Sequence, residues 1–197
     1  PPALEGPCLA GGGGQLRAGR PGVGKARAGH RQKAAPGSWR GPWADGAWKA
    51  LAVAEKWPDG GPKQVWKQPI GGGYAGVSIV GDRVVTMDRQ KEPAEVERIV
   101  CLAADTGREL WAYKYAVEYG KLDYGNGPRA APTIDGGQVY TLGALGHVCC
   151  VDLATGKLIW TVDTVKDHKA VIPEWGLAAS PVVDGDKVYM CHAEENL

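Results

Sequence analysis

Cys150-Val151-Asp152-Leu153-Ala154-Thr155-Gly156-Lys157-Leu158-Ile159-Trp160 matches an earlier phrase, Cys101-Leu102-Ala103-Ala104-Asp105-Thr106-Gly107-Arg108-Glu109-Leu110-Trp111. In each, an apolar run leads into Thr-Gly, which makes the turn, and a second run ends on Trp. From Trp111 to Trp160 is 49 residues. A different phrase keeps the same interval. Pro132-Thr133-Ile134-Asp135-Gly136-Gly137-Gln138-Val139-Tyr140-Thr141-Leu142 returns as Pro181-Val182-Val183-Asp184-Gly185-Asp186-Lys187-Val188-Tyr189-Met190, again 49 residues on from Pro132 to Pro181. Two independent phrases on one period are an internal repeat.

The second phrase has an earlier copy: Val77-Ser78-Ile79-Val80, then Gly81-Asp82, then Arg83-Val84-Val85-Thr86-Met87. Asp-Gly or Gly-Asp between β-branched runs is a hairpin signal, because the primed turns need positive φ. This copy lies 55 residues before its successor, Gly81 to Gly136, and Gln90-Lys91-Glu92-Pro93-Ala94-Glu95 is a candidate insertion. Each period then holds two hairpins, hence four strands, and four strands in 45–50 residues make one blade of a β-propeller. A β-sandwich has short strands too but no reason to repeat. A Trp at the end of an outer strand would wedge against the neighbouring blade, burying roughly 150–250 Å². The residues expected to carry this repeat are Thr106, Gly107, Trp111, Asp152, Thr155, Gly156 and Trp160.

Outward from the repeat the texture changes. Residues 1–37 hold ten Gly, five Pro, four large aliphatics and no aromatic residue. Such a segment cannot bury enough apolar surface to offset its ordering entropy, so a disordered arm is expected. Residues 1–40 carry seven Lys/Arg and one acid, +6, and the chain's total of +1 leaves −5 for the rest. The arm reads as a solvated tail, as a basic arm for nucleic acid or anionic lipid, or as GC-rich text translated ahead of a true start. The chain taken whole is too near neutral for a strongly basic nucleic-acid binder. Its 44% hydrophobic share supports a core, and no run of 18 apolar residues offers a membrane-spanning helix. No charged stretch followed by an apolar run at the start suggests a signal peptide. The organisation expected is a disordered arm over 1–37, a lead-in over 38–62 and blades over 63–197.

The Cys150–Trp160 phrase resembles the tryptophan-docking repeat A-x-D-x-x-T-G-x-x-x-W of pyrroloquinoline-quinone-like (PQQ-like) β-propellers, with Cys in place of the small Ala. The Cys101–Trp111 phrase fits with Ala103 where Asp is expected and Asp105 shifted by two. Trp39-Arg40-Gly41-Pro42 with Asp45-Gly46, Trp57-Pro58 through Trp66-Lys67 and Gly72-Gly73-Tyr74 resemble the opening of a bacterial subgroup of this family. Tyr124 to Arg129 and Val171 to Gly176 are similar to it as well. The resemblance covers about 38–197 and implies an all-β fold, a partial β-propeller of two to three blades out of six to eight. At the observed period a full ring needs about 280–390 residues. A piece of a longer propeller protein is therefore expected, with end blades whose open edges and apolar faces, including the surface around Trp160, favour association.

The resemblance also implies two functions. One is a non-catalytic binding or scaffold propeller of the bacterial envelope, periplasmic or exported, that binds a protein or envelope component. The alternative is a quinoprotein dehydrogenase for an alcohol or sugar. There the family holds PQQ on the axis with calcium, an acidic base, a stacking Trp and, in several members, two adjacent disulfide-bonded cysteines. Cys149-Cys150 invites that comparison, but Cys150 aligns with the single Cys101, and a small buried hydrophobe in a strand accounts for both. Calcium needs six to eight oxygens, and only Asn126 and Asn196 supplement the carboxylates. No cofactor or metal is expected here, and no catalytic residue is assigned. His30, His147, His168 and His192 share no spacing. Asp167-His168 with Glu174 could serve proton transfer on a loop, and His192 with Glu194 and Glu195 could bind a metal at an end expected to fray. Gly71-Gly72-Gly73 lacks a P-loop's lysine and hydroxyl, no C-x-x-C pair joins Cys8, Cys101, Cys149, Cys150 and Cys191, and neither G-x-S-x-G nor H-E-x-x-H occurs.

Overall fold

The computed structural model describes residues 14–15, 41 and 55–192. The expected arm over 1–37 lies outside the described residues except for β1 (Gly14–Gln15), as do Glu194, Glu195 and Asn196. Two four-stranded antiparallel sheets follow in chain order. The first runs β2 (Ser78–Val80), β3 (Arg83–Gln90), β4 (Val96–Ala103), β5 (Glu109–Ala116), and the second β6 (Thr133–Asp135), β7 (Gln138–Leu142), β8 (His147–Asp152), β9 (Leu158–Asp163). Helix α1 (Thr164–His168) leads to the hairpin β10 (Val182–Asp184) and β11 (Lys187–Tyr189), while β12 (Cys191–His192) pairs with β1.

The repeat extends to the register. Cys101 faces Trp111 and Cys150 faces Trp160, and each ladder slips at the next residue, between Cys101 and Leu102 and between Cys150 and Val151. The two Trp residues thus hold equivalent places one blade apart.

Two sequence readings need correction. The turn 91–95 is only one residue longer than its counterpart 143–146. The first blade is longer mainly because β3 and β4 run eight residues each where β7 and β8 run five and six. Pairing of Gln90 with Val96 carries the ladder to the edge of the turn, so residues read as an insertion are partly strand. The segment 164–168, read as loop, is one helical turn. Asp163 caps it, its Oδ1 accepting from the Val165 and Lys166 N–H groups at 3.2 Å, while Asp167 Oδ2 accepts from the Asp163 N–H at 3.0 Å. That is reciprocal capping by two short acids, with Lys169 closing the turn in the left-handed region at φ 54°.

Strand alternation sends successive side chains to opposite faces, and each face packs on a neighbouring sheet. Val85, Met87, Ile99 and Cys101 of the first sheet meet Ile134, Val139, Cys149 and Val151 of the second, all buried. On the far face of the second sheet Tyr140, Leu142, Val148 and Cys150 meet Val183 and Val188 of the β10–β11 hairpin and Met190 just beyond it. Near the inner strands a hydroxyl crosses each seam. Ser78 Oγ donates to the Pro132 carbonyl at 2.6 Å, and Thr133 Oγ1 to the Pro181 carbonyl at 2.5 Å. Burying one large aliphatic stabilises by about 1.5–3 kcal/mol, whereas a hydrogen bond nets about 1 kcal/mol. Packing therefore supplies the cohesion and the hydroxyls fix the register.

Candidate functional site

Antiparallel connection puts the turns at 81–82, 104–108, 136–137 and 153–157 at one end of the blades. The turns at 91–95 and 143–146 and the crossover 117–132 lie at the other.

The first end holds the repeat residues. Trp111 Nε1 donates to the Leu153 carbonyl at 2.9 Å, and its ring lies on Gly156, where an added Cβ would stand 2.6 Å from Cδ2 and Cε3. Trp66 does the same one blade earlier, donating to the Ala104 carbonyl at 2.8 Å and covering Gly107. Trp66 was not among the expected repeat residues. Its signal was the interval of 45 residues to Trp111, hidden because no strand precedes it. Trp160 packs on Tyr140 with ring centroids 6.2 Å apart. Asp152 Oδ1 accepts from the Thr155 hydroxyl and N–H at 2.7 and 2.8 Å, which holds its carboxyl below the ordinary value. Thr106 donates to Asp105 Oδ1 at 3.2 Å and accepts from the Arg108 N–H at 3.4 Å, with no carboxylate at position 103 to bind it. Even so, Ala103 closes the same backbone turn as Asp152, each carbonyl accepting from the turn glycine at 2.8 Å.

The second end is different in kind. Glu97 on β4 is fully buried at the seam. Its carboxylate accepts from the Tyr115 and Tyr119 hydroxyls and, across the seam, from the Ala144 N–H at 3.3 Å. Gly143 lets that turn approach, since a Cβ there would collide with Glu97 Oε2. Burial, then the neighbouring carboxylate, pushes both tyrosines well above the ordinary range, so they remain protonated donors. The His147 ring lies 5.1 Å from that of Tyr115, with Nε2 3.9 Å from Asp163. Tyr119 is held twice more: its N–H donates to Glu95 Oε2 at 3.0 Å, and Arg89 lies 4.8 Å over its ring while binding Glu95. Deeper in the first blade, Arg98 holds the buried Asp88 through two bonds of 2.8 and 2.6 Å.

Above this network the crossover is braced from within. Arg129 donates to the carbonyls of Gly127 at 2.5 Å, Asp123 at 3.0 Å and Gly125, and sits 5.5 Å over the Tyr74 ring. Asn126 bridges the Leu122 N–H and the Gly120 carbonyl, so it serves the loop. Tyr74 donates its hydroxyl to the Tyr124 carbonyl, and the Asp123 N–H donates to the Glu174 carbonyl at 2.8 Å. These bonds join three successive segments, each presenting one aromatic ring: Tyr74 is 62% exposed, Tyr124 81% and Trp175 54%. Tyr124 stands at φ 63°, an outlier for a bulky side chain.

Asp167, His168 and Glu174 form no joint site: Asp167 serves the helix cap and Glu174 the loop contact. His192 lies in β12, with its expected partners outside the described residues. No group of three or more His, Cys, Asp or Glu able to hold a metal occurs among the described residues. Cys149 and Cys150 are adjacent on β8, are not disulfide-bonded, and point into different seams. Burial pushes the Cys149 thiol up to about 11. Two cysteines buried on opposite faces of a sheet cannot form a ring against a cofactor, and these residues do not fit the quinone.

A family model described as outer membrane protein assembly factor BamB matches residues 51–197. Among solved structures, BamB from Moraxella catarrhalis is similar at 21% identity and a TM-score of 0.40, over 59% of this chain and 29% of that one. Quinohemoprotein alcohol dehydrogenase ADHIIG from Pseudomonas putida HK5 is similar at 24% identity and a TM-score of 0.44, over 61% and 16%. Quinohemoprotein alcohol dehydrogenase from Comamonas testosteroni follows at 19% identity and 0.46, over 63% and 18%. The chain spans less than a third of each of these proteins. No curated protein matches it.

Proposed function

The chain belongs to the PQQ-like propeller family described as outer membrane protein assembly factor BamB, and from this premise we propose that it is part of a non-catalytic binding propeller of the bacterial envelope. Its partner is a protein, docked on the end of the blades that carries the crossover loops. The carrying observation is the contrast at that end. The acidic groups nearest the seam are closed on internal donors, Glu97 by Tyr115, Tyr119 and Ala144 and Glu95 by Arg89 and Tyr119. Turned outward on the loops, beside exposed charged residues such as Glu118, Lys121 and Glu174, are the rings of Tyr74, Tyr124 and Trp175. Exposed Tyr and Trp on braced loops supply contact area at small entropic cost, which is why they are enriched where proteins meet. No helix among the described residues is long and apolar enough to cross a membrane.

A photo-crosslinking residue placed at Tyr124 or Trp175 in the cell tests the reading. It should capture one discrete envelope protein, and the same residue at Thr106, on the opposite end, should not. Equal capture from both ends would refute the assigned face. Saturable binding of pyrroloquinoline quinone with calcium, accompanied by dye-linked alcohol oxidation, would refute the non-catalytic reading.

A further inference from the structure

We propose that Glu97 is a positioning residue that sets the crossover 117–129, and with it the outward rings, by holding that segment and the second blade's turn 143–146 on one carboxylate. The proposal rests on the docking reading for its functional meaning, though not for its test.

The crossover leaves β5 at Val117 and must reach β6 without secondary structure of its own. Such a segment stays in one conformation only where its polar groups find fixed partners. Its braces are mostly local: Arg129 and Asn126 bond to carbonyls and an N–H of the same loop. Local bonds shape a loop but do not say where it sits. Its far end is held where Tyr74 donates its N–H to the Pro128 carbonyl at 2.8 Å and Ser78 Oγ donates to the Pro132 carbonyl, while over its first half, 117–125, two residues tie it to the first blade. Val117 donates its N–H to the Glu95 carbonyl at 3.2 Å, at the strand exit. Tyr119 is the deeper tie, its hydroxyl on Glu97, its N–H on Glu95 and its ring under Arg89.

Glu97 is suited to be the fixed point. It lies within β4, paired with both Arg89 and Tyr115, and is fully buried, so it cannot swing. Its other bonds leave the first blade's own ladder: Ala144 lies on the second blade's turn, closed against the carboxylate by Gly143. One acceptor group therefore fixes β5, the crossover and the neighbouring blade together. From Tyr119 the tie passes along the chain to Asp123, which bonds Glu174 beside Trp175, and to Tyr124, whose carbonyl holds Tyr74. On the period of 49 residues the position matching Glu97 in the second blade is Gly146, which offers no carboxylate.

Hydrogen exchange on the full chain tests this without any partner, so its failure and that of the docking reading are distinguishable. Tyr119→Phe removes one hydroxyl and keeps the ring under Arg89. The amides of Tyr119, Leu122, Asp123 and Gly125 should then exchange about tenfold faster or more, with amides of β3 and β7 unchanged, because the opening is local. Glu97→Gln keeps a carbonyl oxygen for Tyr119 and Ala144 and should restore most of the protection that Glu97→Ala loses. Unchanged exchange over 119–125 in Tyr119→Phe overturns the proposal. So does an equal rise in the loop and in β3 and β7, which would show Glu97 supporting the blades without positioning the crossover. Should Glu97→Ala fail to fold, Tyr119→Phe and Glu97→Gln still decide.

Discussion

Gly156→Ala separates two costs that the docked Trp imposes at one position. Gly156 sits at φ 70°, in the left-handed region, where an L side chain costs about 1–2 kcal/mol. Its Cβ would also stand 2.6 Å from the Trp111 ring, and that ring is tied to Leu153, so it cannot yield as a loose side chain would. Forced overpacking adds about 1–3 kcal/mol, for a total of about 2–5 kcal/mol. Gly81 is the internal control. Its φ is 59° and nothing lies within 4 Å of a methyl added there, so Gly81→Ala should lose only the backbone part, about 1–2 kcal/mol. Urea unfolding of the full chain, with Gly156→Ala measured again beside Trp111→Ala, completes the cycle. Without the ring the glycine substitution should fall to the Gly81 value, giving a coupling of about 1–3 kcal/mol. Gly107 under Trp66 repeats the experiment one blade earlier. Equal costs for Gly156→Ala and Gly81→Ala, or a cost indifferent to Trp111, would refute the reasoning.

Thr133→Val removes the hydroxyl that crosses to Pro181 while keeping the shape of the side chain; it should cost about 1 kcal/mol in the same urea assay, or more if the carbonyl is left buried and unpaired. Cys101, Cys149 and Cys150 are buried, and the Cys149 thiolate forms only toward about pH 11, so a thiol reagent at pH 8 should label the exposed Cys191 quickly and these three only after unfolding. The folded Asp152 carboxyl is held below its ordinary value of 3.8 by Thr155, so its contribution to stability is complete above that value and is lost as pH falls through the lower folded one. Acid titration of stability should show this loss in the native protein and a smaller one in Asp152→Asn, while identical acid profiles for the two would contradict it.

What the sequence revealed and what it concealed divide along the two ends of the blades. The end that carries the repeat Trp rings and their glycine turns was legible because its chemistry is local and repeated. Thr-Gly, a short strand and Trp lie within one phrase, and the period identifies the partner turn without any knowledge of contacts. Even the departure at Ala103 was visible, and the backbone shows why it is tolerated: the turn closes on a carbonyl, which any residue supplies. The other end was concealed because nothing in it repeats. Glu97 stands among alternating residues of β4, Val96-Glu97-Arg98-Ile99, where an acid reads as a solvent-facing position. It is buried because strand alternation turns it toward the second blade and because Tyr115, Tyr119 and Ala144 supply donors from 18, 22 and 47 residues away. A buried charge is tolerable only with such partners, and no local pattern announces partners at those distances. A repeat therefore reveals what every blade must do to be a blade, and stays silent on what one blade adds where it breaks the repeat. Here that place is Glu97, opposite which the next period has a glycine.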